Sequence, residues 1–170
     1  GHQEEGRRGG TENVPGIVGL GEACRLARES LGEEQGRVRA LRDRLQAELL
    51  RRAKDALVNG DQAHRLPNTA NISFQYVEGE AILLLLNRHR IAASSGSACT
   101  SGSLEPSHVL RAMGIPYTAA HGSIRFSFSR YNTEADVDRV IEVLPPIIER
   151  LRELSPFGRQ DGRLWTGVDK

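Results

Sequence analysis

Residues 67–81 read PNTANISFQYVEGEA, and the change of period inside them sets the architecture. Ile72, Phe74 and Tyr76 alternate with Ser73 and Gln75, the two-residue repeat of a strand with one buried face. Glu78-Gly79-Glu80 then turns the chain into a short helix over Ala81 to Arg88, which holds the longest apolar run, Ala81 to Leu86. A strand needs partners. Ser123 to Ser129 supplies one, with Ile124, Phe126 and Phe128 facing one way and Arg125 and Ser127 the other. Ile91 to Ala93 reads as a further short strand.

Helices fill the space around these strands. Gly1 to Asn13 lacks apolar periodicity and reads as a glycine-rich loop. Asn13 caps a helix with Pro15 in its first turn, and Ile17, Leu20, Cys24, Ala27 and Leu31 form one face, with Gly32 as its stop. Cys24 on that face reads as core. A second helix spans Arg37 to Val58, with Val38, Leu41, Leu45, Leu49 and Ala53 on one side, and Asn59-Gly60-Asp61 turns out of it. Ser107 caps another that runs to Gly114. Thr133-Glu134-Ala135-Asp136 resembles a capping box opening a helix that reaches Leu154, with a kink expected at Pro145-Pro146. The order is helix, helix, strand, helix, strand, helix, strand, helix, an α+β arrangement in which helices cover one face of a short sheet.

Composition excludes several classes of function. The chain has 170 residues, 38% hydrophobic and 26% charged, enough for one globular core. Its net charge of +1 comes from 23 basic and 22 acidic residues, so no field draws it to nucleic acid or to a membrane surface. No apolar run approaches membrane-spanning length. Two cysteines without paired spacing make neither a disulfide framework nor a metal site, and His2, His64, His89, His108 and His121 show no ligand spacing. No metal is expected. Only Lys54 and Lys170 are lysines, so chemistry needing a buried amine uses one of these or comes from outside the chain. The opening Gly1-His2-Gln3-Glu4-Glu5 reads like the middle of a cytoplasmic protein.

The chemically distinctive stretch is Ser94 to Gly114, SSGSACTSGSLEPSHVLRAMG, with Cys99 near its centre. From Ser94 to Ser103 there is no large apolar side chain to anchor a thiol in a core. A cysteine among serine and glycine reads as a reactive or carrier thiol on an irregular segment. His108 and Arg111 follow on the next helix as candidates for lowering its pKa. Arg125, on the polar face of its strand, can present a two-pronged guanidinium to a carboxylate. Thr11, in the glycine-rich loop, can donate to a phosphate. Lys54 lies in a polar, arginine-rich stretch, the wrong setting for an amine tuned by burial.

Four segments together resemble the cysteine desulfurases of the NifS/IscS type, pyridoxal-phosphate enzymes of the class V aminotransferase group. They are QEEGRRGGTENVP from Gln3, PNTANISFQYVEGEA from Pro67, the Cys99 segment with its Leu-Glu-Pro-Ser, and AHGSIRFSFSRYNT from Ala120. The resemblance implies the small carboxy-terminal domain of a fold-type I enzyme. It implies a homodimer that takes sulfur from L-cysteine, leaving alanine and a persulfide on Cys99 for iron–sulfur cluster assembly, passed to a scaffold or other sulfur acceptor. Arg125 then matches the residue that holds the substrate carboxylate, and Thr11 the one reaching the cofactor phosphate of the other subunit. The lysine, histidine and aspartate that hold the cofactor lie, in the family, in a large domain that this chain does not contain. By the same resemblance residues 1–13 belong to the active-site and dimer region, 14–155 form the small domain and 156–170 a polar tail. The chain alone is expected to be inactive. An alternative reading makes it a non-enzymatic persulfide carrier or docking module.

Overall fold

The structure, a computed structural model, describes residues 1–95 and 106–155. It divides into two units, Gly1–Glu33 and Glu34–Lys170.

The first unit begins with a tight turn, α1 (Gln3–Gly6), in which Glu4 and Glu5 take left-handed backbone angles. An isolated bridge between Gln3 and Arg8 closes this turn, and Gln3 Nε2 donates to the Gly10 carbonyl. Helix α2 (Val14–Glu33) follows, and the Asn13 side chain accepts from the Gly16 amide at 3.1 Å, the cap expected from its sequence position. The apolar face of α2 is open: Ile17, Leu20 and Leu31 are exposed, and so is Cys24. The expectation that Cys24 is core is therefore corrected. Periodicity correctly marks a helix with an apolar stripe, but a unit made of one helix and one turn has nothing of its own to lay against that stripe.

In the second unit a π-helical stretch, Glu34–Val38, leads into α3 (Arg39–Arg52). Strands β1 (Ala56–Val58), β2 (Thr69–Phe74) and β3 (Ser123–Ser127) form an antiparallel sheet in the order β1-β2-β3. Between β2 and β3 come α4 (Gly79–Arg88), α5 (His108–Ala112) and α6 (Tyr117–His121), and α7 (Glu134–Leu154) closes the described chain. Ile72, Phe74, Ile124 and Phe126 face Leu41, Leu45 and Leu49 of α3, Ile82 and Leu86 of α4, and Ile141, Leu144 and Ile148 of α7. This is the expected two-layer α+β core. Arg44 ties α3 to α7 by pairing with Glu134 and Asp138.

Three local expectations change. The second helix stops at Arg52 rather than Val58, because Asp55 adopts a positive φ of 48° and Ala56–Val58 leave as the edge strand β1, paired to β2. Ile91 to Ala93 form no strand; the only ladder contact there is an isolated bridge from Ser94 to Arg125. Gln75 and Tyr76 fall outside β2, since Tyr76 has φ 68° and turns the chain toward α4. Helix α7 carries the capping box in full: the Thr133 hydroxyl accepts from the Asp136 amide, and the Asp136 carboxylate accepts from the Thr133 amide. It runs on through Pro145 and Pro146. None of the described helices is long and apolar enough to cross a membrane.

Candidate active site

The polar face of the sheet is built from period-two alternation. With Ile124 and Phe126 turned into the core, Ser123, Arg125 and Ser127 must project from the other face. Their partners across the ladder are Ser73, Asn71 and Thr69 respectively. Arg125 is exposed, and no acceptor among the described residues takes its guanidinium hydrogens. Some other arginines are engaged: Arg25, Arg44, Arg51 and Arg52 pair with carboxylates, and Arg42 is buried beside Asp43. An arginine held by its backbone with its fork left open is ready for an external anion.

That backbone is held on both sides. On one edge β3 pairs with β2. On the other, Arg125 exchanges two hydrogen bonds with Ser94: the Ser94 amide donates to the Arg125 carbonyl at 3.1 Å, and the Arg125 amide donates to the Ser94 carbonyl at 2.6 Å. Ser94 is the first residue of the Cys99 segment, so the near end of that segment is fixed beside the arginine. Gly79 lets α4 start close against the end of α6, since a Cβ there would meet the His121 carbonyl at 2.9 Å. Cys99 itself lies outside the described residues. His108 and Arg111 stand on α5, in the later part of the same segment.

Beneath Arg125 runs a buried polar network that residue patterning does not single out. Asn59 Nδ2 donates to Asn71 Oδ1 at 2.6 Å, to Ser73 Oγ at 2.8 Å and to Ser123 Oγ at 3.2 Å. The two serine hydroxyls lie 2.7 Å apart, and Ser123 Oγ donates on to the Ala119 carbonyl. Ser73 and Ser123 are fully buried, so the network holds the β2–β3 rungs together by satisfying groups that would otherwise be costly to bury. Strand register, which single-strand patterning does not give, is the missing signal.

Within its own unit Thr11 is exposed, its carbonyl accepts from Arg8 Nη2 at 3.3 Å, and no described residue engages its hydroxyl. Gly10 beside it has φ 81°, a conformation that glycine adopts without steric cost. Lys54 is exposed in the turn after α3. No group of three potential metal ligands occurs among the described residues.

Residues 2–140 match the aminotransferase class-V family, and the chain belongs to it. Among its curated relatives are cysteine desulfurases. It is 71% identical over 157 residues to the cysteine desulfurase of Gluconacetobacter diazotrophicus, covering 92% of this chain and 39% of that protein. It is 62% identical over 162 residues to the cysteine desulfurase NifS of Azotobacter vinelandii, covering 95% of this chain and 40% of that one. Among solved structures it matches a NifS-like protein from Rickettsia africae with a TM-score of 0.73 and 33% identity, covering 88% of this chain and 38% of the other. The small-domain fold expected from the resemblance is thereby upheld. The chain spans about 39% of the length of the first of these relatives.

Proposed function

We propose that this chain is the thiol-bearing portion of a cysteine desulfurase. Arg125 binds the carboxylate of L-cysteine, and the Cys99 thiolate attacks the substrate sulfur. The S–S bond forms as the carbon–sulfur bond breaks; the carbon keeps the electron pair and takes a proton, leaving alanine and a persulfide on Cys99. The persulfide sulfur then passes to an acceptor for iron–sulfur cluster assembly. The observation that carries this reading is the double hydrogen bond between Ser94 and Arg125, which supports a carboxylate-binding arginine beside the start of the thiol segment.

The family's cofactor, pyridoxal phosphate, is only partly accommodated by these residues. The free hydroxyl of Thr11 beside Gly10 suits a phosphate oxygen. Lys54 does not suit the covalent anchor, because an amine exposed in a turn lacks the burial that would tune it and the contacts that would aim it. The chain does not hold the cofactor by itself, and its anchor comes from the portion outside this chain. With that portion the reading carries a cytoplasmic homodimer in which Thr11 serves the partner's cofactor. Nothing in the structure favours the alternative of a carrier loaded by another enzyme.

The test is to supply L-cysteine to the full-length protein with pyridoxal phosphate and a reducing thiol, and to measure sulfide and alanine together. Equal amounts of both are expected. Pyruvate and ammonia in place of alanine would mean an elimination enzyme and would refute the proposal.

A further inference from the structure

We propose that Asn71 is a second carboxylate-binding residue, donating its side-chain amide to the same substrate group that Arg125 grips. This rests on the desulfurase reading above. Asn71 and Arg125 are direct partners across the β2–β3 ladder, on the face turned away from the core. Side chains so paired have Cβ atoms about 4.5–5.5 Å apart, so a carboxylate on the Arg125 fork lies within reach of the Asn71 amide.

The orientation of that amide is set from below. Asn59 Nδ2 donates to Asn71 Oδ1 at 2.6 Å. Asn59 is in turn fixed by Ser73 and Ser123, and its backbone amide donates to the Asn71 carbonyl at 2.9 Å. With its oxygen occupied, Asn71 has two N–H donors left, and no acceptor among the described residues takes them. Arg125 is likewise without an acceptor there. Two adjacent side chains with unclaimed N–H donors, on a rung pinned by β2 on one side and Ser94 on the other, form a site for an anion with several acceptor lone pairs. The rest of this sheet face is Leu57, Thr69, Ser73, Ser123 and Ser127, with no carboxylate to compete. The chemistry selects the α-carboxylate of an amino acid over an amine lacking one.

Asn59 has the positioning part. It touches no substrate and holds the Asn71 amide with nitrogen outward.

The experiment uses the full-length enzyme with its cofactor and compares parent, Asn71→Ala, Asn71→Asp and Arg125→Ala. Three quantities are read: KM for L-cysteine, the dissociation constant of L-alanine by calorimetry, and that of cysteamine, which keeps amine and thiol but lacks the carboxylate. Losing one hydrogen bond to a charged group corresponds to about a tenfold weakening or more. Asn71→Ala is expected to raise KM and the L-alanine constant by that factor, leaving cysteamine within about twofold. Asn71→Asp retains an oxygen for Asn59 but replaces the donor with a negative charge, and it should weaken L-alanine at least as much. If Asn71 matters only as a network member, Asn71→Asp behaves like the parent and Asn71→Ala shifts both ligands together; either result overturns the proposal. So does an L-alanine constant unchanged in Asn71→Ala while Arg125→Ala loses it. Should Asn71→Ala fail to fold, the near-isosteric Asn71→Asp decides the question. If the parent enzyme makes no sulfide and does not bind L-alanine, the desulfurase reading fails first, and Asn71's assignment falls with it.

Discussion

Replacing Gly122 with alanine tests whether the junction that aims β3 is as tight as the geometry states. Gly122 lies between α6 and β3 with φ −88° and ψ 14°, angles open to any residue, so alanine brings no backbone strain of its own. The obstacle is space. A Cβ at this position would stand 2.0 Å from the Phe74 carbonyl oxygen and 2.8 Å from that of Val77. Carbon–oxygen contacts settle at about 3.3 Å or more, so β2 and β3 must part by more than an ångström at this end. The same two segments are joined by the Phe74 amide donating to the Gly122 carbonyl at 2.9 Å, next to the buried Ser73–Ser123 rung. Overpacking costs about 1–3 kcal/mol, and straining a buried backbone hydrogen bond adds about 1 kcal/mol. The expected loss is about 3 kcal/mol, a large part of the stability of an ordinary domain. Urea unfolding followed by far-ultraviolet circular dichroism measures it. Gly114→Ala is the control: it has φ 73° and open space around it, and should cost only about 1 kcal/mol. A midpoint for Gly122→Ala equal to that of the parent would refute the reasoning about this junction.

Four further outcomes follow from the same observations. Thr133→Ala removes the cap of α7 and should destabilise by about 1 kcal/mol. Hydrogen bonding from the Thr133 amide holds the Asp136 carboxyl below its ordinary pKa; a group depressed in the folded state stabilises above its unfolded pKa, so this contribution should vanish as pH falls through the folded value and be absent from Asp136→Asn in an acid titration. Because Cys24 is exposed, N-ethylmaleimide should label it in the native chain as fast as in urea, and protection by a large factor would mean that α2 is covered. Mixed with pyridoxal phosphate, this chain should give no yellow adduct that depends on folding, read by comparing native and unfolded samples against Lys54→Ala.

The parts of this fold legible in the sequence are those where one face is buried and the segment is long. The apolar spacing of Val38, Leu41, Leu45 and Leu49 gives the buried face of the second helix, and each of these residues is buried. Alternation in Ile72 and Phe74, and again in Ile124 and Phe126, gives two strands and the core side of both. What failed is short or depends on neighbours. Ala56–Val58 continue the helical apolar period, and only the left-handed turn at Asp55 and pairing with β2 make them a strand. Alternation assigns Ser73 and Ser123 to a solvated face, whereas both are buried and satisfied by Asn59. Arg125 is visible because strand polarity is local. Asn71 is not, because its relation to Arg125 exists only once the register between β2 and β3 is known.

The central claim is that Cys99 receives sulfur from L-cysteine while Arg125 holds the substrate, and one comparison in the full-length enzyme tests it most directly. Cys99→Ser should bind L-cysteine with an affinity close to the parent's, seen as the same shift in the cofactor's absorbance, yet release no sulfide, because a serine hydroxyl is a poor acceptor for sulfur. Arg125→Ala should lose binding by a factor of about ten or more. Sulfide release from Cys99→Ser at the parent rate would contradict the account.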